Sequence, residues 1–135
     1  MAEQENRTPT PRESAILKLL WEQGPSSVRD VHRLMLLDES VGKELAYNTV
    51  QTLLRIMEDK GLVEHRVDGR TFIYTARFSR DESARRFLNR VFDGAASQLM
   101  LSLLRSESVS TTELDQLQAM IDSARRDRRT REGQS

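Results

Sequence analysis

Hydrophobic and polar positions change period several times along this chain, and each change predicts an element. Between Thr10 and Gly24 the apolar residues Ile16, Leu17, Leu19, Leu20 and Trp21 cover a wide arc of a helix, the pattern of a segment that is largely core. Thr10-Pro11-Arg12-Glu13 places a capping hydroxyl, a proline at the first helical position and a glutamate three residues after the cap, while Gly24-Pro25 supplies the stop. Ser26-Ser27 followed by Asp30 reads as a second start. Val28, Val31, Leu34 and Met35 form a narrower stripe on that helix, which ends near Asp38. The stretch Asp38 to Glu44, with Gly42 inside it, reads as a loop, and the polar, aperiodic residues 1–9 read as a mobile arm.

The segment Ala46 to Lys60 is the most informative. Val50, Leu53, Leu54 and Met57 fall at i, i+3, i+4 and i+7 and line one helix face, while Asn48, Gln51, Thr52 and Arg55 fall at the same spacing on another. A solvated helix face more often carries Glu/Lys pairs four apart. Amide, hydroxyl and guanidinium groups are the ones that hydrogen-bond base edges and phosphates. Gly61 closes the helix.

Two alternating segments, LVEHRV and RTFIYTA, flank Asp68-Gly69 and predict a β-hairpin. With Asp68 and Gly69 as the loop, Val67 faces Arg70, His65 faces Phe72 and Val63 faces Tyr74, so Val63, Phe72 and Tyr74 share a face; a longer loop would shift that pairing.

Beyond Phe78 the chain turns wholly helical. Ser79 with Glu82 is a capping box before Phe87, Leu88, Val91 and Phe92, which run to Asp93-Gly94. Leu99, Met100, Leu103 and Leu104 mark a short helix, and Ser110 with Glu113 opens a last one whose Leu114, Leu117, Ile121 and Ala124 step by 3, 4 and 3. Three short amphipathic helices cannot bury these faces alone; they fold back on the first half or pair with a second chain. The domains expected are therefore an arm (1–9), a first domain (10–78), a helical pairing segment (79–124) and a polar, Arg-rich tail (125–135) that frays, with a loose phosphate-binding role as the other reading of its arginines.

Composition narrows the function. The 135 residues hold 21 Lys+Arg against 21 Asp+Glu, and neither half is a basic block, so any affinity for nucleic acid rests on local placement. Of the basic residues 3 are Lys and 18 are Arg, the side chain whose planar fork suits phosphates and guanine edges, although genomic base composition explains the same bias. The absence of Cys removes disulfides, thiolate nucleophiles and thiolate metal sites, and two histidines cannot complete a zinc site. No nucleotide-binding, metalloprotease or serine-hydrolase motif is present, so neither an enzyme nor a cofactor is expected. With neither a membrane-length apolar run nor a secretory leader, the expected location is the cytoplasm, without membrane insertion.

Three helices followed by a hairpin, with a polar face on the third, predict a mainly α fold with a small β-hairpin: a winged helix-turn-helix domain followed by a C-terminal helical segment, read as the dimerisation segment once a family resemblance is added. The run LAYNTVQTLLRIMEDKGLVEHRVDGRTFIYTA, with LLWEQGPSSVRDV before it and VFDGAASQLMLSLL after it, resembles the penicillinase-repressor (BlaI/MecI) family of bacterial transcriptional regulators over about Arg12 to Arg125. That resemblance implies a winged helix that binds a dyad operator in double-stranded DNA and a C-terminal segment that makes a homodimer. It places DNA contacts on Asn48, Thr49, Gln51, Thr52, Arg55 and Arg70. The dimer is expected on Phe87, Leu88, Val91, Phe92, Leu99, Met100, Leu103, Leu104, Leu114, Leu117 and Ile121. Plainer readings stand beside these. Thr49 could cap a helix that Ala46 caps poorly, Tyr47 could pack on the second helix, Arg70 could be a solvated turn residue, and His65 reads as structural, facing Phe72.

The departures are also informative. Copper-responsive relatives carry a C-terminal cysteine cluster, so release of that kind is excluded. Antibiotic-resistance members are inactivated by cleavage at a bond resembling Asn-Phe in the helix after the Asp-Gly; here that place reads Ser102-Leu103, so the resemblance implies a membrane-anchored sensor protease as a partner while the residues at the bond differ. The alternative from another class is a winged-helix protein-interaction module without sequence-specific DNA binding.

Overall fold

In a computed structural model, residues 8–38 and 44–133 are described. The expected arm, apart from its last two residues, and the interior of the expected Asp38–Glu44 loop lie outside them. Helix α1 (Pro11–Gln23) starts as its sequence dictates: Thr10 Oγ1 accepts from the Glu13 amide at 3.2 Å, and Glu13 Oε1 accepts from the Thr10 amide at 2.8 Å. A two-residue strand β1 (Ser26–Ser27) leads into α2 (Val28–Leu36), where Ser27 and Asp30 form a second reciprocal box. Then come α3 (Tyr47–Asp59), β2 (Val63–Asp68) and β3 (Thr71–Ala76).

The strands form an antiparallel sheet in the order β1-β3-β2, so the hairpin is two-thirds of a three-stranded sheet. β1 carries no strand signal. Its two serines double as the lead into α2, and their extended backbone pairs with Tyr74 and Ile73. The hairpin register also departs from expectation. Asp68 pairs with Thr71, Val67 with Phe72 and His65 with Tyr74, so the turn residues are Gly69 and Arg70. Gly69 has φ +65° and Arg70 keeps a negative φ, the pattern of a type II′ turn with glycine first. An Asp68-Gly69 turn of type I′ would force Asp68 itself to positive φ. Each strand moves by one position, so parity survives and Val63, Phe72 and Tyr74 still share a face.

One core joins these elements. Ile16, Leu17 and Leu20 from α1 meet Val28, Val31 and Met35 from α2, Val50, Leu54 and Met57 from α3, and Leu45, Val63 and Tyr74. Each fully buried aliphatic side chain contributes about 1.5–3 kcal/mol. Leu34 and Leu53, expected on the stripes, lie half-buried at their edges. Trp21 donates from Nε1 to the Phe78 carbonyl at 2.9 Å, and the Arg80 guanidinium lies 5.4 Å from the Trp21 ring centre, closing the strand exit against α1.

The chain divides into two compact units, Met1–Ala84 and Arg85–Ser135. Helix α4 (Arg80–Phe92) spans the division and opens with the Ser79/Glu82 box, Glu82 donating its amide to Ser79 Oγ at 3.1 Å. Asp93 and Gly94, both at positive φ, break the chain before α5 (Ala96–Arg105). Helix α6 (Thr111–Gly133) begins at Ser110, whose Oγ accepts from the Glu113 amide. It runs well past Ala124: the expected frayed tail is helix as far as Gly133, because arginine is a strong helix former, no glycine or proline intervenes, and cations suit a helix C-terminus. No residue of α4, α5 or α6 is buried. Among the described residues no helix is long and apolar enough to cross a membrane.

Candidate nucleic-acid interface

The two faces of α3 separate as their spacing predicts. Val50, Leu54 and Met57 are fully buried, whereas Asn48, Gln51, Thr52 and Arg55 are exposed and Thr49 is half-buried. Burying the apolar stripe therefore turns the polar stripe outward. The helix start is held from α2: His32 Nε2 donates to the Leu45 carbonyl at 2.8 Å, and the His32 ring meets Tyr47 edge-on with centroids 5.7 Å apart. Tyr47 thus packs on the second helix while remaining 43% exposed. Ala46 makes no side-chain cap bond; the Thr49 amide donates to the Ala46 carbonyl at 3.1 Å.

The far end of α3 is tied to the hairpin. His65 Nδ1 lies 2.7 Å from both carboxylate oxygens of Glu58, so that nitrogen is the donor. The His65 ring stacks on Phe72 at 4.2 Å and tilts against Tyr74 at 5.5 Å. Although Tyr74 is its cross-strand neighbour, His65 covers Phe72 as expected. Burial pushes the Tyr74 phenol above its ordinary range; Glu58 pushes the same way, and Arg55 opposes both.

These ties leave an open groove of about 460 Å³ between α3 and the hairpin. Gln51 and Arg55 line it from α3, Arg70 and Phe72 from the hairpin, and Arg29 from the first turn of α2. Three of the six expected DNA-contacting residues share this groove, and the other three, Asn48, Thr49 and Thr52, are not among those that line it. Arg29 and Tyr47 also line it and are absent from the sequence-derived set. For Arg29 a signal existed: it is the second residue of a helix capped by Ser27, and in a helix-turn-helix the first helix of the pair crosses the DNA backbone. Among the described residues no group of His, Asp and Glu could hold a metal ion.

The apolar residues of the C-terminal helices are spread over all three. Phe87, Val91, Leu104, Leu114 and Ile121 are exposed, and Leu88, Phe92, Leu99, Met100, Leu103 and Leu117 are half-buried. Phe87 and Phe92 meet edge-on at 6.1 Å. Leu101 and Met120, not singled out by periodicity, are exposed as well. Ser102 is exposed on α5 and Leu103 half-buried beside it.

Three helices, a small sheet and an exposed polar third helix beside a hairpin turn define a winged helix-turn-helix protein. Residues 9–123 match the penicillinase repressor family, and the chain belongs to that family, one of transcriptional repressors rather than of enzymes. It is 24% identical over 114 residues to the penicillinase repressor of Bacillus licheniformis, covering 82% of this chain and 86% of that protein. Against the methicillin resistance regulatory protein MecI of Staphylococcus aureus (strain N315) the identity is 19% over 111 residues, covering 79% and 87%. A solved probable transcriptional regulator from Pseudomonas aeruginosa aligns with a TM-score of 0.46 at 19% identity, over 91% of this chain and 83% of that one.

Proposed function

We propose that this chain is a homodimeric, sequence-specific repressor that occupies a dyad operator in double-stranded DNA in the cytoplasm. The observation that carries the reading is the groove between α3 and the hairpin, where an amide and three arginines face outward above a fully buried apolar stripe. In this reading Gln51 and Asn48 read base edges, Thr49, Thr52 and Arg55 hold the helix in the major groove, and Arg70 meets phosphate from the wing. Arg29 joins them as a backbone contact. The dimer forms through α4, α5 and α6. That assignment is supported by three helices with no buried residue and by exposed Phe, Val, Leu and Ile side chains on them. Release follows cleavage at or near Ser102-Leu103 by a membrane-anchored sensor protease, a reading supported by the exposure of Ser102.

The test is selection from a randomised duplex pool with the full chain, followed by a salt titration on the enriched sequence. A dyad should emerge, with affinity falling steeply as salt rises. No enriched sequence and a weak, sequence-blind affinity would instead favour a protein-docking module.

A further inference from the structure

We propose that the last turns of α6 are a second, sequence-blind contact to the phosphates of the duplex this chain binds. The inference rests on the DNA-binding reading above and adds a surface to it. The match to the repressor family ends at residue 123, yet the helix continues to Gly133. Over Ala124–Gly133 there are five arginines against one aspartate and one glutamate, a net charge of +3 in a chain whose net charge is zero. The preceding part of the same helix, Thr111–Ser123, holds Glu113, Asp115 and Asp122 and no basic residue. Charge is therefore segregated along α6.

This basic stretch does not extend the apolar seam. Leu114, Leu117, Ile121 and Ala124 define the stripe, and the next step of four lands on Arg128; no apolar side chain follows Ala124. Arg125, Arg126, Arg128 and Arg129 fall within one half of the helix circumference, with Glu132 on that same half a turn further along and Asp127 and Arg131 on the other side. All five arginines are exposed, and none is in an ion pair among the described residues. A folded helix holds these guanidinium groups as an array, so less freedom is lost on meeting a row of phosphates than in a disordered tail. Arginine forks match phosphate oxygens in pairs, and a duplex that already engages the winged helix is the polyanion at hand.

The experiment compares the full chain with a variant carrying Arg125→Gln, Arg126→Gln, Arg128→Gln, Arg129→Gln and Arg131→Gln on a random-sequence duplex over a salt series. Glutamine keeps the helix, which circular dichroism checks. The slope of log affinity against log salt should become shallower by roughly 2 per chain, because each lost phosphate contact removes about 0.9. An unchanged slope overturns the proposal. So does a variant that loses dimer mass, since the arginines would then be meeting the acidic half of α6 in a second copy. Arg70→Ala, titrated in parallel, separates this surface from the wing: a slope lowered by the five substitutions but untouched by Arg70→Ala upholds the helical contact and refutes the wing contact.

Discussion

Lys60, at the C-terminal end of α3, donates from Nζ to Oε1 of Glu13 at 2.8 Å, joining the polar-faced helix to the first turn of α1 across 47 positions of sequence. Glu13 is 1% exposed, and the same oxygen accepts the Thr10 amide of the capping box. One carboxylate thus starts one helix and anchors another. Lys60→Met should leave a buried charge without its partner and cost about 3 kcal/mol, read as a fall in the urea midpoint. A loss below about 1 kcal/mol would mean that the pair is solvated like a surface bridge.

The same pair sets an acid limit. Burial alone would raise the Glu13 pKa, but the hydrogen bonds from Lys60 and Thr10, with the lysine charge, outweigh it and hold the carboxyl below its ordinary 4.5. The stabilisation is complete above that ordinary value and is lost as pH falls through the lowered one. Denaturant melts at roughly pH 7 and pH 3 should therefore show a smaller acid loss in Glu13→Gln than in the unaltered chain. Equal losses would place the acid sensitivity elsewhere.

Gln51 and Arg70 line one groove from opposite sides, and the proposed roles separate under mutation. Gln51→Ala should relax discrimination at one base pair per half-site by about 1 to 3 kcal/mol. Arg70→Ala should weaken all sequences alike and flatten the salt slope by about one. Equal losses on selected and random DNA from both variants would refute this division.

A fragment ending at Ala84 keeps the Trp21 bond to the Phe78 carbonyl and Arg80 above the Trp21 ring, and it discards most of the exposed apolar helices. It should be a folded monomer. Because the second half-site contact is intramolecular in a dimer, the fragment should bind the selected duplex roughly 100-fold more weakly. Sedimentation as a dimer would remove the interface from α4, α5 and α6.

Cleavage within α5 should have the same consequence in the full chain. A specific protease site placed at Ser102-Leu103 would, once cut, sever Leu103 and Leu104 from Leu99 and Met100 and detach α6 from α4. The cut protein should lose dimer mass and operator affinity together while its winged helix stays folded. Tight binding after complete cutting would rule out release by this route.

Local chemistry determined much of this protein by itself. The Thr10/Glu13, Ser27/Asp30, Ser79/Glu82 and Ser110/Glu113 pairs act within a few residues, so the helix starts were legible, as were the two faces of α3, which need only the helical period. Cross-strand parity was legible too, since His65 covers Phe72 as expected, but exact register and long-range contacts were not. Strand β1 exists only because Tyr74 and Ile73 of β3 lie beside Ser26 and Ser27, and the hairpin closed on Gly69-Arg70 because only glycine there takes positive φ without cost. Arg29 enters the groove, and Lys60 reaches Glu13, only after the core has packed α1, α2 and α3 together. Capping and periodicity are properties of a few consecutive residues; register, grooves and long-range ion pairs belong to the packed chain, and only tertiary structure decides them.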